Sequence, residues 1–172
     1  MTSGQRKTAS AALVENVLAL PEFKQSRCVL LFASMPDEVD VTELIRAALR
    51  MGKRVCVPTC STKDRRLIPA ELTSLSELAP GAYGILEPRT VREVDISDID
   101  FVLVPAAGFD PKGNRLGRGA GYYDRFMSRP EFRAVKCGVC FDAQVLDEIP
   151  HDAHDLPVDI LVTDQRVLRF RE

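Results

Sequence analysis

The sequence predicts an α/β fold built on a largely parallel sheet covered on both faces. Three observations point there. Phe101-Val102-Leu103-Val104-Pro105 is a short apolar run closed by proline, as expected of a strand buried on both faces. Runs of this kind alternate along the chain with stretches of helical periodicity, the pattern of βαβ units. The strand at 101–104 is followed by a glycine-rich loop and a helix start, an arrangement in which free helix N–H groups meet an anion beyond the end of a strand.

In chain order, residues 8–20 carry Ala9, Ala12, Leu13, Val17 and Leu20 close to helical spacing, and Pro21 ends the helix. Residues 28–33 form an apolar strand. Asp40 is placed as an N-cap with Glu43 three residues on, a capping box. The helix it opens sets Leu44, Ile45, Ala48 and Leu49 on one face and stops at Gly52. Residues 54–57 are the next strand, ended by Pro58. Residues 61–66 are polar, and the segment after them shows no strong periodicity. Residues 101–104, 135–141 and 160–163 supply three more strands, and 166–170 a candidate last one. No repeat, low-complexity tract or linker interrupts this order, so residues 1–172 read as one domain.

With 172 residues, 45% of them hydrophobic and 28% charged, the chain has the composition of a globular protein with a sizeable core. Its 23 basic and 25 acidic residues leave a net charge of −2, which gives no electrostatic basis for binding nucleic acid or a membrane surface. No apolar stretch approaches a membrane span and the N-terminus lacks the apolar run of a secretory signal, so the expected location is the cytoplasm. Five cysteines do not suggest a disulfide framework. Cys137 and Cys140 make a Cys-x-x-Cys, but on a strand their side chains fall on opposite faces, poor geometry for zinc. His151 and His154, three apart with proline neighbours, read as loop histidines.

The most informative segment runs Gly113-Asn114-Arg115-Leu116-Gly117-Arg118-Gly119-Ala120-Gly121-Tyr122-Tyr123-Asp124-Arg125. Glycines allow a backbone to approach a ligand closely, and arginine forks match phosphate oxygens. Asp124 adds a hard oxygen donor of the kind magnesium takes. The spacing is neither a P-loop nor a dinucleotide fingerprint. A nucleotide–metal loop and a merely tight surface loop both remain open on these residues alone, with the arginines favouring the first.

Residues 101–125 also resemble the signature region of the 5-formyltetrahydrofolate cyclo-ligases, or methenyltetrahydrofolate synthetases. Leu31-Phe32-Ala33-Ser34-Met35-Pro36-Asp37-Glu38-Val39-Asp40 resembles the family's folate-side segment, and Gly81-Ala82-Tyr83-Gly84-Ile85-Leu86-Glu87-Pro88 its middle Gly-Ile-x-Glu-Pro motif. His154-Asp155-Leu156-Pro157-Val158-Asp159 followed by Leu161-Val162-Thr163 resembles its C-terminal motif. The four motifs occur in order, from about residue 5 to the end.

The resemblance implies a three-layer α/β/α fold of the NagB/RpiA/CoA-transferase-like kind. It implies an ATP- and magnesium-dependent ligase that closes 5-formyltetrahydrofolate, polyglutamylated or not, to 5,10-methenyltetrahydrofolate with release of ADP and phosphate. The expected partners are the folate and ATP, with no nucleic acid and no membrane as the charge and hydropathy indicate, and a monomer is expected although the sequence itself does not give the oligomeric state. Arg115, Leu116, Gly117, Arg118, Gly119, Ala120, Gly121, Tyr122 and Tyr123 take the ATP loop, with Arg115, Arg118 and Tyr122 as the catalytic set. Ala33, Glu38 and Arg118 to Tyr122 (Arg118, Gly119, Ala120, Gly121, Tyr122) border the folate, and Asp124 and Asp159 match the magnesium ligands. Each has a plainer reading: Asp124 as a helix-start charge, Asp159 as a strand-start carboxylate, Glu38 as a solvated loop residue, the tyrosines as core aromatics.

Members of the family begin with a basic Lys-x-x-Leu-Arg helix that reaches the ATP phosphates, and this chain starts where that helix would already have ended. Gln5, Arg6 and Lys7 match the later turn. Either the start codon is placed downstream of the real one, or this branch has lost part of its ATP site. The second option is the basis of an alternative reading, a non-catalytic folate- or nucleotide-binding paralogue. An isomerase or acyl-CoA transferase on a related fold is disfavoured by the intact Arg-Leu-Gly-Arg-Gly-x-Gly-Tyr-Tyr-Asp run.

Overall fold

The computed structural model describes residues 1–81, 84–117 and 120–170. Its elements in chain order are α1 (Ser3–Leu18), α2 (Pro21–Gln25), β1 (Cys28–Leu30), α3 (Thr42–Arg50), β2 (Arg54–Ser61) and β3 (Arg66–Leu72). They continue with β4 (Leu78–Pro80), β5 (Leu86–Pro88), β6 (Phe101–Pro105), β7 (Gly108–Phe109), β8 (Arg115–Leu116), α4 (Tyr122–Met127), β9 (Val135–Val139), β10 (Ile160–Val162) and β11 (Val167–Arg169). Seven strands form the central sheet in the order β11-β10-β9-β6-β1-β2-β3. The five inner strands are parallel, and β3 and β11 close the edges antiparallel.

The apolar runs behave as their composition dictates. In β6, Phe101 and Leu103 enter the core on one face of the sheet while Val102 and Val104 enter the core on the other. The first face is covered by α1, α2 and α3 through Leu13, Val17, Phe23 and Leu44. The second face is covered by α4, the β7–β8 hairpin and loops, through Phe109, Phe126 and Met127. These make three layers, the second outer one carrying little helix.

Local chemistry moved several boundaries. α1 begins at Ser3, not at residue 8, because Thr2 and Gln5 form a reciprocal capping box (Gln5 N to Thr2 Oγ1, 3.0 Å; Thr2 N to Gln5 Oε1, 2.7 Å) before the apolar face starts. Gln5, Arg6 and Lys7 are therefore helical rather than a turn. Pro21 does not only stop α1; it opens α2 as its first residue. The capping box expected at Asp40 and Glu43 does not form. The Asp40 N–H donates to Ser10 Oγ of α1 at 3.0 Å, and Glu43 pairs instead with Arg46. The stop at Gly52 holds: at φ 77° it lets Gly52 N reach Leu49 O and Lys53 N reach Ala48 O, both at 3.1 Å, the paired bonds of a Schellman ending.

β2 runs through Pro58 to Ser61 and pairs with β3, which periodicity did not reveal. The β1–β2 register ends at Leu30 and Cys56, so beyond it a proline on β2 withdraws no donor from β1. Pro58 lies opposite Pro69 on the edge strand.

Cys137 and Cys140 do enter opposite cores, and all five cysteines are free thiols. Burial pushes the Cys140 thiol up to about 12, chiefly by desolvation, and the half-buried Cys60 up to about 11. A disulfide-exchange reagent at pH 8 is expected to label Cys60 first in the native protein and the buried thiols only on unfolding, as followed by mass spectrometry.

Gly138 in β9 marks a close approach. A Cβ there would stand 2.6 Å from the ring of the fully buried Phe109. Gly138→Ala is expected to destabilise the fold by about 1–3 kcal/mol through overpacking, read as a lower urea midpoint at unchanged m.

Candidate active site

The C-terminal ends of β1, β6 and β9 open on a narrow cleft lined by Phe32, Glu38, Pro105, Ala106, Cys140 and Gln144. Ligands of open α/β sheets bind at this end. Two loops reach it. The first follows β1, and its Glu38 shapes its own turn: Glu38 N donates to Met35 O at 3.0 Å and Met35 N to Glu38 Oε1 at 2.8 Å. Ser34 Oγ accepts the Val41 N–H at 3.0 Å. Ala33 is half-buried at the start of the same segment.

The second loop follows β6 and is braced from within. Asp110, 1% exposed, accepts the amides of Lys112 and Asn114 at 3.0 Å and that of Ile149 at 3.1 Å, with Asn114 Nδ2 also at 3.1 Å. Gly113 turns the chain back at φ 86°, and its carbonyl takes the Val158 N–H at 3.0 Å. A Cβ at Gly113 would lie 2.8 Å from the Phe170 ring. This turn delivers β8, where Arg115 lies opposite Phe109 and Leu116 opposite Gly108.

Arg115 ion-pairs with Asp124, which stands in the first turn of α4. The Arg115 side chain is only 7% exposed, and its Nε has no hydrogen-bond partner among the described residues. Asp124 is 25% exposed, and its Oδ1 also takes the Leu156 N–H at 3.2 Å, so both described bonds fall on one oxygen. Gly121 opens α4 at φ 72°. Arg125 crosses beneath, bonding the carbonyls of Ala120 and Arg65.

Tyr122 and Tyr123 both pack against the core on this face. Burial pushes the Tyr123 phenol up, Glu38 and Cys60 add to it, and Arg115 opposes them. Leu116 and Gly117 are exposed, while Arg118 and Gly119 lie outside the described residues.

Asp159 is placed elsewhere. It precedes β10, and its Oδ2 accepts the Lys136 N–H at 2.9 Å, tying the starts of β9 and β10. Among the described residues no group of three or more His, Cys, Asp or Glu side chains could hold a metal ion. His151 and His154 form no such group; His151 Nδ1 sits 3.1 Å from Ile149 O.

The sequence model of the 5-formyltetrahydrofolate cyclo-ligase family matches residues 1–164. The chain belongs to this family. A mouse 5-formyltetrahydrofolate cyclo-ligase is 32% identical over 170 residues, covering 92% of this chain and 84% of the relative. A probable 5-formyltetrahydrofolate cyclo-ligase of Schizosaccharomyces pombe is 34% identical over 176 residues, covering 93% and 86%. The solution structure of Aquifex aeolicus 5,10-methenyltetrahydrofolate synthetase superposes with a TM-score of 0.87 at 37% identity, over 100% of this chain and 86% of that one. The protein's α/β fold is therefore that of a cyclo-ligase.

Membership directs attention to residues that the reading of the sequence left without a role. Gln144 lines the cleft beside Glu38 and bonds Ala107 O at 3.2 Å. Glu87 reaches the end of β2, where Thr59 Oγ1 donates to it at 2.6 Å and Cys60 N at 3.2 Å. The Gly-Ile-x-Glu-Pro motif was the available signal for Glu87; Gln144 had none.

Proposed function

We propose that this protein is an ATP-dependent 5-formyltetrahydrofolate cyclo-ligase. The formyl oxygen of the folate takes the γ-phosphoryl group of ATP, N10 attacks the activated carbon, and loss of phosphate leaves 5,10-methenyltetrahydrofolate. Such chemistry asks for positioning and charge neutralisation more than for a side-chain nucleophile. The observation that carries the reading is Arg115 beside Asp124 on the glycine-rich loop: a buried cation whose Nε lacks a partner among the described residues is a ready donor for a phosphate oxygen.

Arg115 and Arg118 would hold phosphate oxygens, with Leu116, Gly117, Gly119, Ala120, Gly121 and Tyr123 shaping the ATP loop. Tyr122 and the residues Arg118 to Gly121 would border both substrates, and Ala33 and Glu38 would face the pterin, whose N–H donors suit a carboxylate. Magnesium is part of the proposal. Asp124 fits it, as a partly exposed hard carboxylate whose described hydrogen bonds both fall on Oδ1. Asp159 is proposed as the second carboxylate on the family resemblance alone. Bound with ATP, the ion would spread the charge of the transferring phosphoryl group.

Among the described residues no helix is long and apolar enough to cross a membrane. A cytoplasmic monomer, acting on folate with or without a polyglutamate tail, completes the proposal. The test is the absorbance of methenyltetrahydrofolate formed from 5-formyltetrahydrofolate. An initial rate that requires both ATP and magnesium supports the reading; folate binding without turnover leaves a non-catalytic paralogue.

A further inference from the structure

Glu87 stands outside every set assigned so far, yet it is held more closely than an exposed hairpin requires. It lies on β5, in the small two-stranded sheet with β4, 28 residues from Thr59 in sequence. One carboxylate oxygen takes the Thr59 hydroxyl at 2.6 Å, and the other takes the Cys60 amide at 3.2 Å. Both partners sit on the part of β2 beyond its pairing with β1, where the strand runs free on that side.

The hairpin makes room for this contact. A Cβ on Gly81 would stand 2.6 Å from the Glu87 carboxyl carbon and from Oε2. Gly81 is not in the left-handed region, so its lack of a side chain answers to the neighbouring carboxylate rather than to its own backbone. Gly81 N and Ile85 O close the turn at 2.8 Å. On the other side, this end of β2 lies at the edge of the sheet where the parallel β1 runs on into the Glu38 loop, and the turn between β2 and β3 meets α4, where Arg125 Nε donates to Arg65 O at 3.3 Å.

We propose that Glu87 is a positioning residue for the folate side of the site, docking the β4–β5 hairpin on the end of β2 and fixing the Thr59–Cys60 end of that strand beside the Glu38 loop and α4. The inference rests on the cyclo-ligase reading. Its chemistry is acceptance of two hydrogen bonds, not charge, so a glutamine serves: its Oε1 accepts the Cys60 amide and its Nε2 donates to the Thr59 hydroxyl.

The test compares the full chain with Glu87→Ala, Glu87→Gln and Gly81→Ala, by steady-state kinetics and by calorimetric binding of 5-formyltetrahydrofolate. Glu87→Ala is expected to raise the folate KM and Kd about tenfold while kcat and the ATP KM stay within about twofold. Gly81→Ala, which keeps the carboxylate but pushes it off Thr59 and Cys60, should do the same, and Glu87→Gln should match the wild type. Unchanged folate KM and Kd in Glu87→Ala would overturn the proposal even if its Tm falls. So would equal damage to the ATP KM, or a Glu87→Gln as impaired as the alanine, which would make the charge itself a substrate ligand. Should Glu87→Ala not fold, Gly81→Ala decides alone with the same outcomes. A wild type that binds folate without turnover would sink the cyclo-ligase reading while the Kd comparison still judges Glu87, and one that does neither would overturn both.

Discussion

Asp124→Asn is expected to reduce ATP-dependent formation of methenyltetrahydrofolate by at least about 100-fold, with a sharp rise in the magnesium concentration that half-saturates the residual rate. Asparagine keeps the shape and can still accept the Leu156 amide. It removes the carboxylate charge that pairs with Arg115, whose side chain is 7% exposed. Charged hydrogen bonds contribute about 1.5–3 kcal/mol each. A buried cation stripped of its partner costs more, toward about 3 kcal/mol here because Asp124 itself keeps some solvent. If Asp124 only neutralised Arg115, the variant would lose stability but its residual rate would still saturate with magnesium as the wild type does. If it meets the ion, the magnesium concentration for half-maximal rate rises sharply. Initial rates at stepped magnesium separate the two. Asp159→Asn in the same titration tests the second carboxylate independently.

Both halves of that ion pair were visible in the sequence, though their pairing was not. Glycines and arginines act locally, and their density in residues 113–125 marked the loop. The apolar run at β6 marked the sheet because a strand buried on both faces has no polar alternation to obscure it. What stayed hidden depended on partners distant in sequence. β3 carries Pro69 and Glu71 and sits at an edge, so its pattern looked mixed until β2 was seen beside it. Asp40 has the composition of a capping box, but Ser10 takes its amide from 30 residues away. Glu87 belonged to a motif whose use appeared only when the fold carried it to Thr59. Asp110 stands before Pro111 in the sequence, and only the fold brings Ile149 to it.

Asp110 is where the largest loss of stability is expected. Its carboxylate oxygens take four donors, two on each: Lys112 and Asn114 amides on Oδ1, Asn114 Nδ2 and the Ile149 amide on Oδ2. In Asp110→Asn one oxygen becomes an NH2 group, so whichever way the amide turns, two N–H donors face another donor across about 3 Å. The expected cost is about 2–4 kcal/mol at pH 7, seen in the urea midpoint. A loss of activity should accompany it, since the turn braced by Asp110 delivers Arg115. The pH dependence gives the sign. Burial alone would raise the Asp110 pKa, but the bonds from Asn114, Lys112 and Ile149 outweigh it and hold the carboxyl below its ordinary value. A depressed carboxylate stabilises the fold above the unfolded pKa, about 3.9, and the contribution is lost as pH falls through the lower folded value. Asparagine has no such proton. The stability gap between wild type and Asp110→Asn should therefore be constant from pH 7 to about 5 and close as the pH is lowered further. A gap that stayed constant down to pH 2 would mean that the turn uses the shape of the side chain and not its charge.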